Sequence, residues 1–128
     1  MLTLFKQYLQ TKNIIPTEDN ETITFVYKDL YYLFVSEKTD PNYFRLIIPN
    51  IYKAGNDADI TKFENLVNRI NLKFKVAKSF VRDNGMVWTS VEQFVYSTDN
   101  IERLFERSLI LLDLIVGQFR DELNRTEQ

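Results

Sequence analysis

The stretch Thr22-Ile23-Thr24-Phe25-Val26-Tyr27-Lys28-Asp29-Leu30-Tyr31-Tyr32-Leu33-Phe34-Val35 decides the fold. Ile23, Phe25 and Tyr27 alternate with Thr22, Thr24 and Val26, and Leu30, Tyr32 and Phe34 repeat the same period of two. That period marks strands that bury one face. With Lys28-Asp29 as a two-residue turn, Tyr27 stands opposite Leu30, Phe25 opposite Tyr32 and Ile23 opposite Phe34. All three apolar pairs then share one side of the ribbon, which a slip of one residue would undo. The other side pairs Val26 with Tyr31, Thr24 with Leu33 and Thr22 with Val35.

Outward from this hairpin, the polar run 37–42 predicts a turn. Residues 43–48 predict a third strand, ended by Pro49. Toward the N-terminus, Leu2, Phe5 and Leu9 recur at helical spacing, so residues 2–12 predict a short amphipathic helix. Pro16 and the polar run 17–20 stop it. Beyond the third strand, Asn56-Asp57-Ala58-Asp59 supplies N-caps for a helix running to about residue 71, with Ile60, Phe63, Val67 and Ile70 on one face.

Residues 74–82 and 86–96 predict a second hairpin around Asp83-Asn84-Gly85, because Asn-Gly tolerates positive φ. A turn on Asn-Gly alone sets Val81 opposite Trp88, whereas pairing Lys75 with Glu92 requires a shifted turn. Asp99 and Glu102 predict a capping box for a last helix over residues 100–124. The order α-β-β-β-α-β-β-α predicts an α+β two-layer sandwich: a five-stranded antiparallel sheet with helices, without crossovers between consecutive strands, as one domain over residues 1–128.

Composition narrows the chemistry. Of 128 residues, 45% are hydrophobic, including 10 Phe and 7 Tyr, which is material for a packed core rather than a disordered chain. The chain has no Cys and no His, so thiol and imidazole catalysis, disulfides and zinc fingers are excluded. Gly55, Gly85 and Gly117 stand too far apart for a glycine-rich phosphate loop. No catalytic residue, cofactor site or metal site is expected. Asp57 and Asp59 are read as caps, since Lys62 stands where a calcium loop requires Gly. The net charge of -2 offers no global field for nucleic acid or anionic lipid. The longest apolar stretch, residues 109–116, is interrupted by Asp113 and is far shorter than the ~20 residues of a membrane span. With no leader-like N-terminus, a cytoplasmic protein is expected.

Two surfaces are candidates for a protein interface. The third strand is two-sided, with Phe44, Leu46 and Ile48 on one face and Tyr43 and Ile47 beside Arg45 on the other. The second sheet face therefore carries Tyr31, Leu33, Val35, Tyr43 and Ile47, more apolar surface than a wet face needs. Either one of the protein's own helices covers it, or a second subunit or bound chain does. The last helix has an apolar face from Ile101 to Phe119, yet Ile110 and Leu114 fall on its polar side near Gly117. Ordinary exposure or a contact accounts equally for that pair. Lys73, Lys75, Lys78 and Arg82, interleaved with Phe74 and Phe80, suggest an edge strand guarded by lysines ahead of an RNA-binding strand.

The segment Asn68-Arg69-Ile70-Asn71-Leu72-Lys73-Phe74-Lys75, running into Phe80-Val81-Arg82-Asp83-Asn84-Gly85-Met86-Val87-Trp88, resembles YbjN-like chains, a branch of the type III secretion chaperone-like fold of small bacterial proteins. In both, a helix ending in an Asn-containing turn feeds a hairpin tipped by Asn-Gly. The resemblance implies a two-layer sandwich, often dimeric, in a group linked to regulation without a defined chemistry. Secretion chaperones of similar architecture bind unfolded protein segments on apolar patches.

The expected function is thus a non-enzymatic protein-binding module, chaperone-like, adaptor or regulatory, with a second copy of itself or another protein segment as the expected partner. A homodimer is expected. The alternative is a small-molecule binder, or an enzyme using carboxylates and tyrosines, with a pocket between sheet and helices drawing on Tyr32, Arg45 and Glu92. RNA binding ranks last.

Overall fold

The computed structural model describes residues 1–126. The elements are α1 (Leu2–Thr11), β1 (Thr17–Asp19), β2 (Thr22–Tyr27), β3 (Leu30–Glu37), β4 (Asp40–Lys53), α2 (Asp57–Lys73), β5 (Ala77–Val81), β6 (Met86–Phe94) and α3 (Ile101–Thr126). The strands form one six-stranded sheet in the order β1-β2-β3-β4-β6-β5, with every neighbouring pair antiparallel.

The β2–β3 register is the expected one: Tyr27 faces Leu30, Phe25 faces Tyr32 and Ile23 faces Phe34. Lys28 and Asp29 both have positive φ, 50° and 64°, as a two-residue hairpin turn matched to the strand twist requires. The sheet has six strands rather than five. Thr17–Asp19 is fully exposed and carries no apolar alternation, so nothing in its side chains announces a strand. It joins by backbone pairing through a turn in which Asn20 takes φ 54°, with Lys6 pairing to Glu18 at 2.7 Å.

Two further expectations are corrected. The third strand does not end at Pro49. The strand β4 runs 14 residues, and its pairing with β6 is interrupted between Ile48 and Tyr52, where Pro49 and Asn50 (φ 53°) sit. A bulge absorbs the missing proline N–H without ending the strand. Nor are crossovers absent: β6 lies between β4 and β5, so α2 carries the chain across the sheet to an edge strand parallel to β4.

Helix α2 begins as expected, with the Asn56 side chain accepting from Asp59 N at 2.9 Å and Asp59 Oδ2 accepting from Gly55 N at 3.0 Å. Helix α3 starts differently. Asn100, at φ 60°, supplies the carbonyl that accepts from Arg103 and Leu104, while Asp99 offers its own amide to Ser97 Oγ instead of capping.

All three helices lie on one face of the sheet. Phe5, Tyr8 and Leu9 of α1, and Phe105, Leu109 and Leu112 of α3, are buried in one cluster with Phe25, Phe34, Phe44 and Leu46. Phe5 stacks on Phe34 at 4.0 Å, and Phe105 meets Phe5 edge-on at 4.9 Å and Phe34 edge-on at 5.8 Å. Such pairs add about 0.5–1.5 kcal/mol each beyond the area they bury. A second cluster joins Phe63, Leu66 and Ile70 of α2 to Ile115 and Phe119 of α3 over Val87. At the rim, the buried Tyr8 hydroxyl donates to Glu106, which also pairs with Lys12 at 2.9 Å, tying α1 to α3.

A candidate protein interface on the bare sheet face

Among the described residues no helix covers the opposite face, and register defines its rows. Leu33 of β3 faces Ile47 of β4, which faces Ser90 of β6, which faces Lys78 of β5. In the next row Val35, Arg45 and Glu92 line up, and beyond it Tyr43 pairs with Phe94. On the other flank Val26 pairs with Tyr31, and Phe80 with Trp88.

Tyr31, Leu33, Val35, Tyr43 and Ile47 all sit on this face, as their alternation required. Tyr31 is 54% exposed and Val26 57%, whereas Ile47 is buried yet belongs to neither core cluster. Ile15, which is 91% exposed, lines one shallow depression with Val26 and Tyr31.

The face also carries aromatics that the sequence reading misplaced. The second hairpin turns on three residues, Asp83-Asn84-Gly85, closed by Gly85 N donating to Arg82 O and Arg82 N to Met86 O, both at 2.8 Å. Val81 therefore faces Val87, and Trp88 pairs with Phe80. Gly85, at φ 81°, takes the left-handed position of this longer loop. At the opposite end of β6, Phe94 and Tyr96 stack with their rings 6.3 Å apart, both exposed.

The charges on the face are partly offset internally. Lys78 Nζ lies 2.7 Å from Glu92, and Arg45 is close enough to act on the same carboxylate. Burial alone would raise the Glu92 carboxyl, but the hydrogen bonds from Lys78 and Tyr43 and the charges of Lys78 and Arg45 outweigh it and hold it below the usual value. The Tyr43 hydroxyl is pushed up to about 12, first by burial and then by its hydrogen bond to Glu92. Trp88 Nε1 donates to Asn50 Oδ1 at 2.9 Å, and the Arg82 guanidinium stacks 4.4 Å from the indole centroid. Arg45 Nε and Ser90 Oγ are buried without a hydrogen-bond partner among the described residues.

The expected convergence of Tyr32, Arg45 and Glu92 on one pocket does not occur. Tyr32 is fully buried on the helical side, while Arg45 and Glu92 are on the bare side. The basic strand also dissolves on inspection of its parts. The strand β5 spans only Ala77–Val81, so Lys73 ends α2 and Lys75 lies in the connection, and Lys78 alone of the three is a strand residue. The edge is guarded by Asn71, whose side chain accepts from Ser79 N at 2.8 Å and donates to Ser79 O at 3.0 Å, in place of a further strand.

Ile110 and Leu114, exposed at 48% and 57%, are separated from the bare face by the thickness of the sandwich, so the candidate residues form two sites. Gly117 is not sterically required: a Cβ there would meet only Arg120 Nη2, at 3.7 Å.

The architecture is that of a two-layer α+β sandwich with three helices on one face of an antiparallel sheet and, among the described residues, none on the other. Among solved structures, it is the fold of YbjN from E. coli, a candidate transcription regulator, with a TM-score of 0.72 at 10% identity, covering 96% of this chain and 93% of that one. An uncharacterized protein from Methanothermobacter thermautotrophicus aligns with a TM-score of 0.61 at 12% identity, covering 94% of this chain and 96% of that one. No family model and no curated protein matches the chain. The YbjN-like fold expected from the sequence is thus present, at an identity that speaks for fold alone.

Proposed function

We propose that the protein is a non-enzymatic protein-binding module whose bare sheet face docks on a second copy of the same chain, and that it serves a chaperone-like, adaptor or regulatory role. The observation that carries this reading is that all three helices pack on one side of a sheet whose strands are apolar on both. The exposed Val26, Tyr31 and Phe94 on this face are apolar surface whose burial is favourable.

The second copy is favoured by the exposed apolar side chains Val26, Tyr31 and Phe94. Lys78 and Arg45 share the one carboxylate of Glu92, which leaves the face only weakly positive. A twofold axis would bring each patch onto itself, and Tyr31 and Tyr43 would act as aromatic anchors. The regulatory label of YbjN, borne by a protein of the same fold, fits a role exercised through binding rather than turnover.

The test is light scattering coupled to size exclusion for the wild type and for a Tyr31→Ser/Leu33→Ser double variant. The wild type should run as a dimer and the variant as a folded monomer with an unchanged circular dichroism spectrum. A monomeric wild type at every concentration, or an equally dimeric variant, would overturn the assignment.

A further inference from the structure

The helical side of the molecule holds a separate feature, a cleft of about 400 Å³ between α3, β6 and the connection from α2 to β5. Its size falls within the range of small-molecule sites. Val91, Phe74, Leu104 and Leu111 make it apolar within, and Val76 and Leu114, each 57% exposed, stand at its mouth.

Every charged residue lining it is a cation: Lys73, Lys75 and Arg107. Lys73 is shared with Glu122, 3.6 Å away, whereas Lys75 and Arg107 make no ion pair among the described residues. Ser108 Oγ is spent on Leu104 O at 2.8 Å, which leaves the cations and Gln93 as the polar groups open to a ligand.

A second observation is independent of charge. Val76, a β-branched residue, takes φ 69°, and Ala77 N donates to Lys75 O at 2.7 Å, so Lys75–Ala77 forms a γ-turn of the strained hand. Such backbone persists only where its surroundings hold it, and it gathers at ligand clamps. Here it sets Lys75 and Val76 side by side in the cleft wall.

We propose that this cleft binds a free medium-chain fatty acid, with the chain over Val91, Leu104 and Leu111 and the carboxylate between Lys75 and Arg107. An aliphatic interior under a rim of one charge sign fits an amphipathic anion. A nucleotide is a poorer match, because Phe74 is the only aromatic lining residue and no glycine loop or helix N-terminus faces inward.

The experiment is a calorimetric titration of the full chain with laurate below its micelle concentration. Parallel arms use dodecanol, acetate and anionic phosphatidylglycerol vesicles. Saturable binding of one laurate per chain is expected, at least about tenfold weaker in Lys75→Glu and Arg107→Glu, since a charge-assisted hydrogen bond is of that order. Both substitutions are at exposed positions, and circular dichroism verifies that the variants fold.

Dodecanol and acetate should each bind weakly, one lacking the head and the other the chain. Laurate should also shift the methyl resonances of Leu104, Leu111 and Leu114. The proposal is overturned by an absence of laurate binding, by laurate and dodecanol binding equally, by laurate affinity unchanged in both variants, or by binding to vesicles alone. The cleft and the bare sheet face are on opposite sides, so association and laurate binding can fail separately.

Discussion

The two faces of the sheet are built from the same strands and nearly the same residue types, yet they are in opposite states. On the helical side, Phe25, Tyr32, Phe34 and Phe44 are fully or almost fully buried beneath α1 and α3. On the other side, Val26, Tyr31 and Phe94 stand more than half exposed. The contrast shows where stability and where binding reside: the covered face supplies the cohesion of the single chain, and the bare face is free to exchange water for a partner.

Substitutions should separate the two. The largest effect is expected at Phe34→Ala or Phe105→Ala, each removing a ring from the stacked cluster at a cost of about 3–5 kcal/mol in urea unfolding. By contrast, Val26→Ser on the bare face should change monomer stability by less than about 0.5 kcal/mol. Equal losses at the two faces would erase the distinction.

Gly85→Ala should come next. The residue has φ 81°, and an added Cβ would lie 3.3 Å from both Cβ and O of Ala54, so a loss of about 1–2 kcal/mol is expected in the same assay. Tyr32→Phe should go the other way. The Tyr32 hydroxyl is buried with no hydrogen-bond partner among the described residues, so deleting it should raise stability by about 1 kcal/mol.

The acid response sharpens the comparison further, because each side holds a glutamate with a depressed pKa. On the helical rim, Glu106 is lowered first by its hydrogen bond from Tyr8 and then by that from Lys12. On the bare face, Glu92 is lowered by Lys78, Tyr43 and Arg45 against the pull of burial. A depressed carboxylate contributes stability that is fully present above the ordinary value of 4.5 and is lost as pH falls through the folded value. Urea midpoints should therefore decline on acidification below that value, and Glu106→Gln should flatten part of the decline. An identical acid profile in that variant would remove Glu106 from the account. A small gain is expected at Gly117→Ala, which should add up to about 1 kcal/mol of helix stability because the site has room for a methyl group.

What was legible in the sequence follows the same physics. The β2–β3 hairpin was readable because its large side chains leave one register that collects them on one side. The assignment of Tyr31, Leu33, Val35, Tyr43 and Ile47 to a common second face followed from that alternation. β1 was illegible because its residues are exposed and its pairing is carried by the backbone. Trp88 was placed opposite the wrong residue because Asn84-Gly85 fits both a two-residue turn and the last two positions of a three-residue loop, and only tertiary context chooses. The side to which the helices pack was not readable either: Phe44 and Ile47 alternate on one strand with equal hydrophobicity, and helix placement decides between them. The cleft escaped notice for a related reason. Lys73, Lys75 and Arg107 belong to a helix end, a connection and another helix, and they meet only once the α2 crossover is in place.

The most direct test of the bare-face assignment uses the chain's one tryptophan, Trp88, which lies on that face. Acrylamide quenching of its fluorescence should be measured over a wide range of protein concentration, alongside light scattering. If the bare faces meet, quenching should fall as the dimer forms, with one midpoint for both signals. A dimer that forms while Trp88 stays equally accessible would place the interface elsewhere and contradict the account.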